Sequence, residues 1–155
     1  MRILVDADAC SVVNKVEKIA KKNNIEVILF CDTHHVITSD YAEVKIVGAG
    51  ADAVDFAILN NCKSGDIVVT NDGGLASLVL SKRGMVVNSF GRRYTDRDIN
   101  DILNARYFRS KQKRRGNTNF KGMKNKNYHN HPDFNTSLTM MIGNVSNMAN
   151  VAMAM

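Results

Sequence analysis

Long apolar runs are missing from this chain of 155 residues. No stretch approaches the roughly 20 apolar residues that a helix needs to cross a bilayer, so we expect no association with a membrane. Met1–Asp6 reaches a carboxylate before any apolar segment has gained length, which is not typical of a signal peptide. We therefore expect a cytoplasmic protein, and its length favours one domain with a proper core.

Cysteine is scarce as well. The chain has three cysteines, an odd number, and they lack a CxxC spacing; they are Cys10, Cys31 and Cys62. In a reducing compartment this pattern favours buried thiols over disulfides or zinc ligands.

Acid is nearly absent from the last third of the chain. Residues 1–105 hold 12 Lys and Arg against 14 Asp and Glu, whereas 106–155 hold 9 Lys and Arg against Asp133 alone. A basic segment on a near-neutral body indicates an anionic partner, nucleic acid first, because neutralised phosphates release counterions. The sequence is also compatible with a homodimer. The basic residues that we select as candidate nucleic-acid contacts are Arg109, Lys113, Arg114 and Arg115.

Short apolar runs alternate with amphipathic stretches along residues 1–115. Such alternation with short connections predicts an α/β sandwich with a parallel sheet. Ser11 is a candidate cap for the first helix and Gly84 a candidate C-terminal glycine for the third. We predict strands over 3–5, 25–31, 44–47, 66–70 and 85–88, and helices over 12–23, 51–61, 75–82 and from Thr95 or Asp96 to Arg114.

The pattern changes at about residue 116. Residues 116–135 are rich in Asn, Lys and Gly, which predicts a loop or disorder. Residues 138–155 are rich in Met, Ala and Asn, and Met140, Met141, Ile142 and Val145 predict a short docking helix. We therefore divide the chain into a domain over 1–115 and a C-terminal extension over 116–155.

Carboxylates cluster where predicted strands end. Asp6 and Asp8 follow the first strand, Asp72 follows the fourth, and Asp52 and Asp55 share one face at the start of the second helix. In open parallel sheets, ligands bind beyond the carboxyl ends of the strands. Uncompensated acids would repel one another there, whereas Mg²⁺ or Mn²⁺ would neutralise them and suit phosphodiester cleavage. The sequence thus predicts a metal site with these five carboxylates as its ligands and with Asp6, Asp8 and Asp72 as its catalytic residues.

Two other interpretations stay open. In the first, Asp6 caps the next helix and Asp8 is solvated. In the second, the GxGxxA pattern over 48–53 is a dinucleotide fingerprint, with Asp72 near the spacing of the ribose acid. Asp52 at the helix start opposes this, because a pyrophosphate needs positive potential there. We interpret Gly48 and Gly50 as a tight strand–helix turn.

Several other side chains at predicted strand ends could contact a nucleic acid. His34 and His35 follow the second strand and could bind a metal ion or phosphate, although adjacent histidines in such a loop are commonly surface residues. Arg92 and Arg93 could hold phosphate and Tyr94 could stack a base, against the alternative of a solvated loop with Tyr94 packed on the body.

Four motifs occur in order along the chain. They are ILVDADAC over 3–10, His34-His35, DIVVTND with GLAS over 66–77, and GRxYTxxxI over 91–99. In these motifs the chain resembles the YaiI/YqxD family of bacterial proteins of uncharacterised function, related to PIN-like domains. The resemblance implies a PIN-like three-layer α/β/α sandwich with strand order 3-2-1-4-5, and PIN-like relatives are commonly metal-dependent ribonucleases with an acidic cluster at this place. Asp98 departs from the family, which usually has asparagine there.

Three functions follow as hypotheses. The leading one is a Mg²⁺- or Mn²⁺-dependent nuclease acting on RNA. The second is a non-catalytic nucleic-acid-binding or regulatory module that depends on the basic segment. The third is a phosphatase similar to haloacid dehalogenases, with Asp6 as nucleophile and Asp8 as acid and base.

Overall fold

The computed structural model describes residues 1–114, 116 and 131–155, apart from the side chain of residue 112. Arg115 and most of the predicted loop over 116–135 therefore lie outside the described residues. Six strands and five helices are found in the described ranges. In chain order they are β1 Ile3–Asp6, α1 Val13–Lys22, β2 Val27–Asp32, β3 Glu43–Val47, α2 Ala53–Asn61, β4 Ile67–Val69, α3 Gly73–Ser81, β5 Met85–Val87, β6 Arg93–Tyr94, α4 Asp96–Arg114 and α5 Phe134–Ala154.

All six strands form one sheet in the order β3-β2-β1-β4-β5-β6. The first five are parallel, and β6 pairs with β5 in the antiparallel direction. The predicted α/β class and the order 3-2-1-4-5 are confirmed. We predicted a loop where β6 lies, because two residues are too few to show a strand periodicity. β1 and β4 are neighbours, although α1, β2, β3 and α2 separate them in the chain.

Helices cover both faces of the sheet and complete the three layers. Side chains of one strand alternate between the faces, so Ile3 and Val5 face one core and Leu4 the other. The first core also contains buried residues of α1 and α5, and the second contains those of α2 and α3. Both strand faces are apolar because both are buried, as expected for a parallel sheet.

The first half of α5 belongs to this core. Phe134, Leu138, Met141 and Ile142 are buried together with residues of α1 and the sheet. Met140 of the predicted docking helix is instead exposed. The division of the chain at residues 115 and 116 stays a prediction, since the join lies outside the described ranges.

Gly91 fixes where α5 begins. Its φ is +94°, a left-handed conformation that favours glycine. A Cβ added there would lie 2.4 Å from the Pro132 carbonyl oxygen and 2.8 Å from the Phe134 nitrogen. The Ser137 hydroxyl donates a hydrogen bond to the Gly91 carbonyl at 2.5 Å. Only glycine lets the α5 N-terminus approach the β5–β6 turn this closely.

Two expectations about helix ends are wrong. Val12 occupies the N-cap of α1 and no side chain caps it, so Ser11 does not act as predicted. After α3 the left-handed residue is Arg83 with φ +61°, whereas a Cβ at Gly84 would clash with the Val79 side chain at 2.6 Å. Gly84 thus serves close packing.

The predicted turn between β3 and α2 is present. Gly48 and Gly50 lie in this connection, and the Gly50 carbonyl accepts a hydrogen bond from the Ala53 N–H at 3.2 Å. The left-handed residue of the turn is Asp52, with φ +63°.

The three cysteines are free and buried, which confirms the prediction of buried thiols. Burial, together with the negative charge of Asp6, raises the pKa of Cys10 to about 12. A thiol with that pKa stays protonated at neutral pH and is a poor nucleophile.

Among the described helices, none is both long and apolar enough to pass through a membrane.

Candidate metal centre

Thr70 links the ends of β1 and β4. Its buried hydroxyl donates to Asp6 Oδ2 at 3.3 Å and accepts a hydrogen bond from the Asp72 N–H at 3.1 Å. The pairing of Val5 with Val69 sets this register, because the residues that follow each partner then meet at one edge. Thr70 therefore connects the Asp6 carboxylate to the Asp72 backbone at one edge of the sheet.

Asp6 is a buried carboxylate with 6% of its surface exposed. Burial raises its pKa, and the negative charges of Asp8 and Asp72 add to the effect. Hydrogen bonds from the Thr70 hydroxyl and the Ala9 backbone N–H act in the opposite direction without reversing it. Asp6 does not cap α1, whose N-cap is Val12, so the helix-cap interpretation is wrong.

Asp55 approaches the same edge from the first turn of α2. Its pKa rises to about 6, first through partial burial and then through the charges of Asp72, Asp6 and Asp52. The charges of Asp6 and Asp72 thus act on Asp55 across this edge of the sheet. Asp52 itself is exposed at the α2 N-cap and makes no capping hydrogen bond. Two acids at this helix start leave little positive potential for a dinucleotide.

Asp72 has a structural role as well as a place in the cluster. Its Oδ1 accepts hydrogen bonds from the Gly74 N–H at 2.6 Å and the Leu75 N–H at 2.8 Å, which caps α3. Arg106 Nη2 of α4 lies 3.5 Å from the same oxygen. Arg106 is the cation next to the cluster that sequence reasoning missed, because only the packing of α4 on α3 brings it there.

Asp8 turns toward β2 rather than into solvent, so the second half of the helix-cap interpretation is also wrong. Its Oδ2 accepts a hydrogen bond from the Asp32 N–H at 2.8 Å. Its Oδ1 lies 3.1 Å from His35 Nδ1, yet this buried atom has no hydrogen-bond partner among the described residues. A buried oxygen without a partner is costly unless an ion satisfies it.

Asp32 and His35 complete a second group at the end of β2. His35 Nδ1 lies 2.9 Å from Asp32 Oδ1, and this hydrogen bond raises the pKa of His35 and lowers that of Asp32. The His34 backbone N–H donates to the same oxygen at 2.8 Å, while its side chain is exposed. One ligand atom each from Asp8, Asp32 and His35 lies within 4.8 Å of the others.

Asp32 was not among the predicted site residues. It ends β2 as Asp6 ends β1, and the pairing of Asp6 with Phe30 carries Asp32 to the level of Asp8. The signal was thus an acid at the end of a second neighbouring strand.

Within the described ranges, the group of three or more candidate ligand residues whose donor atoms lie within 4.8 Å of one another is Asp8, Asp32 and His35. Carboxylate oxygens are the ligands that Mg²⁺ and Mn²⁺ prefer, and imidazole favours Mn²⁺ over Mg²⁺. Asp8 Oδ1 accepts no hydrogen bond among the described residues and lies 3.1 Å from His35 Nδ1, so a protonated imidazole or a cation would balance its charge. Burial, and then the neighbouring acids, raise the pKa values of Asp6 and Asp55.

The residues over 92–98 are engaged in the fold. Arg92 Nη2 donates to Asp98 Oδ1 at 2.7 Å, and its guanidinium lies 5.7 Å from the centre of the Tyr94 ring, which packs on the second core. Asp98 Oδ2 accepts from the Thr95 N–H at 2.7 Å and from the Thr95 hydroxyl at 2.9 Å, which is one half of a capping box at the start of α4. Arg92 and Tyr94 thus have structural roles that account for their motif, whereas the Arg93 side chain is exposed.

The predicted basic contacts within the described part of α4 are exposed. Arg109, Lys113 and Arg114 lie in its second half, beyond Arg106.

Comparison with known proteins identifies the family. The family model described as "Uncharacterized BCR, YaiI/YqxD family" matches residues 4–144. This chain belongs to the YaiI/YqxD family. The resemblance read from the four motifs is confirmed, and the YaiI/YqxD match reaches into α5, consistent with the place of that helix in the core.

Two curated relatives are UPF0178 proteins. A UPF0178 protein of Clostridium acetobutylicum is 45% identical over 119 residues, which cover 77% of this chain and 80% of the relative. A UPF0178 protein of Lachnoclostridium phytofermentans is 40% identical over 148 residues, covering 94% and 99%. Among solved structures, a Rae1 (YacP) variant from Bacillus subtilis is similar with a TM-score of 0.46 and 13% identity, over 96% of this chain and 99% of that one.

Proposed function

We propose that this protein is a metal-dependent phosphodiesterase that cleaves RNA. The observation that carries the proposal is the set of mutually repelling carboxylates at the ends of β1 and β4, with Asp6 buried and the pKa values of Asp6 and Asp55 raised. Structural carboxylates are normally paired, and groups with pKa values perturbed by burial and like charge cluster at functional sites.

Asp6, Asp55 and Asp72 would hold one ion. Asp72 uses Oδ1 for capping α3, so Oδ2 is the atom available to a cation. Asp8, Asp32 and His35 would hold a second. A bound Mg²⁺ or Mn²⁺ activates water and stabilises the leaving oxygen of a phosphodiester.

Arg106 would contribute a contact to the phosphate. It is exposed and pairs with Asp72 at 3.5 Å, a distance too long for a strong hydrogen bond. The guanidinium is therefore able to bind an anion at the rim of the cluster while its charge partly offsets that of the acids.

The phosphatase hypothesis is less well supported by these contacts. Asp8 is bonded to the Asp32 N–H and lies beside His35, so its carboxylate is held toward β2. Such an arrangement suits an ion ligand better than an acid and base for Asp6. The non-catalytic binding hypothesis predicts RNA binding without cleavage.

The test is cleavage of single-stranded RNA by the purified full chain with Mn²⁺, compared between wild type and Asp6→Asn. Loss of a direct metal ligand is expected to lower the rate at least about 100-fold, since even outer-shell partners contribute about 10–100-fold. Asp40→Asn is the matched control, because Asp40 is exposed and lies before β3, at the other end of the sheet. Equal rates in wild type and Asp6→Asn, or no cleavage by wild type, would contradict the proposal.

A further inference from the structure

The middle of α4 is anchored at the rim of the candidate metal centre. A Cβ added to Gly73 would lie 3.3 Å from Ile102, and one added to Gly74 would lie 2.3 Å from Arg106 Nη2. The helix therefore rests on the N-terminus of α3, where Asp72 lies. At about 1.5 Å per residue, the eight residues after Arg106 extend α4 about 12 Å further along its axis.

This second half of α4 combines exposed rings with positive charge. Tyr107 is 60% exposed and Phe108 is 56% exposed, so neither ring is committed to the core. Their centroids are 5.8 Å apart in an edge-to-face arrangement, and Lys111 Nζ lies 5.9 Å from the Tyr107 ring centre. Residues 102–114 contain no acid. Their basic residues are Arg106, Arg109, Lys111, Lys113 and Arg114.

Helical spacing places part of this charge beside the rings. Lys111 and Arg114 follow Tyr107 by four and seven positions, so all three share one face of α4. We call Tyr107, Phe108, Lys111 and Arg114 the α4 docking surface.

We infer that the α4 docking surface binds single-stranded RNA and delivers it to the carboxylates of β1 and β4. Tyr107 and Phe108 stack on unpaired bases, and Lys111 and Arg114 contact the phosphates. This deepens the proposed function, on which the delivery step rests, by naming the form of the substrate and the residues that hold it.

Charge and ring exposure together favour this occupant. Aromatic platforms between cations bind single strands because every base has a ring face and the backbone is anionic. Duplex bases are already stacked on each other and cannot reach such rings. The α4 docking surface begins directly after Arg106, which lies 3.5 Å from Asp72. A strand bound to this surface therefore lies next to the acids.

Binding can be measured apart from cleavage. The full-length Asp6→Asn protein is titrated in EDTA against a labelled, unstructured single-stranded RNA, and anisotropy gives the affinity. Base stacking of the usual strength predicts that Tyr107→Ala or Phe108→Ala weakens binding about tenfold. Phe90→Ala is the matched control, since Phe90 is an equally exposed ring, at 64%, in the β5–β6 turn.

Two more variants separate stacking from helix packing. Tyr107→Phe is expected to retain affinity and Tyr107→Leu to lose it, although both preserve apolar area. Lys111→Gln is expected to reduce the salt slope of binding by about 0.7, whereas Lys18→Gln on α1 leaves it unchanged.

Unchanged affinity in Tyr107→Ala and Phe108→Ala, or duplex RNA binding as tightly as the single strand, would overturn the inference. Because cleavage plays no part in this titration, an inactive wild type would contradict the proposed function and leave the docking result standing.

Discussion

Two buried aspartates at opposite ends of the β1–β4 pair have opposite surroundings. Asp66, before β4, is 3% exposed, and Asp6, at the end of β1, is 6% exposed. Asp66 accepts hydrogen bonds from Arg2 Nη2 at 2.7 Å, the Arg2 N–H at 3.0 Å and the Lys63 N–H at 2.9 Å. Asp6 accepts from the Thr70 hydroxyl at 3.3 Å and faces other acids.

Their pKa values move in opposite directions for this reason. Burial alone would raise the pKa of Asp66, but the Arg2 and Lys63 hydrogen bonds hold it below its ordinary value. Burial and neighbouring acids raise that of Asp6. One end of the strand pair is thus built for stability, and the other retains charge that a cation would balance.

The largest expected effect on stability is at Asp66, whose carboxylate is satisfied by hydrogen bonds. Asp66→Ala removes the buried acceptor of a partly exposed ion pair and leaves the Arg2 guanidinium and the Arg2 and Lys63 N–H groups without it, which is expected to lower the free energy of unfolding by about 3 kcal/mol. Urea unfolding monitored by circular dichroism measures it. Asp40→Ala, an exposed change, should stay within about 0.5 kcal/mol. A similar small loss in Asp66→Ala would remove the contrast between the two ends.

Mn²⁺ is expected to stabilise the protein through the edge of the sheet that contains Asp6, and not through the end that contains Asp66. At a concentration about 100 times its dissociation constant, each ion that binds the native state adds about 2.7 kcal/mol to the free energy of unfolding. We expect Asp6→Asn to lose the contribution of the ion held by Asp6, Asp55 and Asp72 and to keep that of the second ion. Asp40→Asn should respond like wild type, and equal stabilisation of Asp6→Asn would contradict the assignment of Asp6 as a ligand.

The raised pKa of Asp55 predicts how the stability of the protein depends on pH. Its pKa rises from 3.8 to about 6 in the native state, so the native protein binds more protons than the unfolded chain between these values. Stability is therefore expected to fall as pH rises from about 4 to about 6, by about 1 kcal/mol after allowance for solvent screening of a partly exposed group. Urea unfolding across this range should show the fall in wild type and a reduced fall in Asp55→Asn. An identical pH profile for the two proteins would contradict it.

The smallest effect separates the two roles of Asp72. Asp72→Asn keeps a good N-cap and should change stability by less than about 0.5 kcal/mol, whereas Asp72→Ala should lose about 1 kcal/mol. Both variants remove the carboxylate and should lose Mn²⁺-dependent cleavage. Full cleavage by Asp72→Asn would limit Asp72 to capping α3.

Much of the fold could be predicted because apolar strand runs end abruptly in polar residues. The run over 3–5 followed by Asp6 predicts a buried strand with a carboxylate at its end, and the same holds for Val69 before Asp72; both strands are buried in the structure. The strand order came from the family resemblance, since right-handed crossovers alone do not fix which strands become neighbours.

The remaining parts depend on contacts between distant segments. Arg106 reaches Asp72 only through the packing of α4 on α3. Arg92, which we predict to contact nucleic acid, also pairs with Asp98, a contact that no local periodicity predicts. The role of Gly91 became visible only once α5 was placed against it.

The most direct test of the account is a crystal of the protein soaked in Mn²⁺ and measured for anomalous scattering. We predict a peak among the carboxylates of Asp6, Asp55 and Asp72, and a second beside Asp8, Asp32 and His35. Asp6→Asn crystals treated in the same way should lose the first peak. A map from wild-type crystals without a peak at this edge of the sheet would contradict the account.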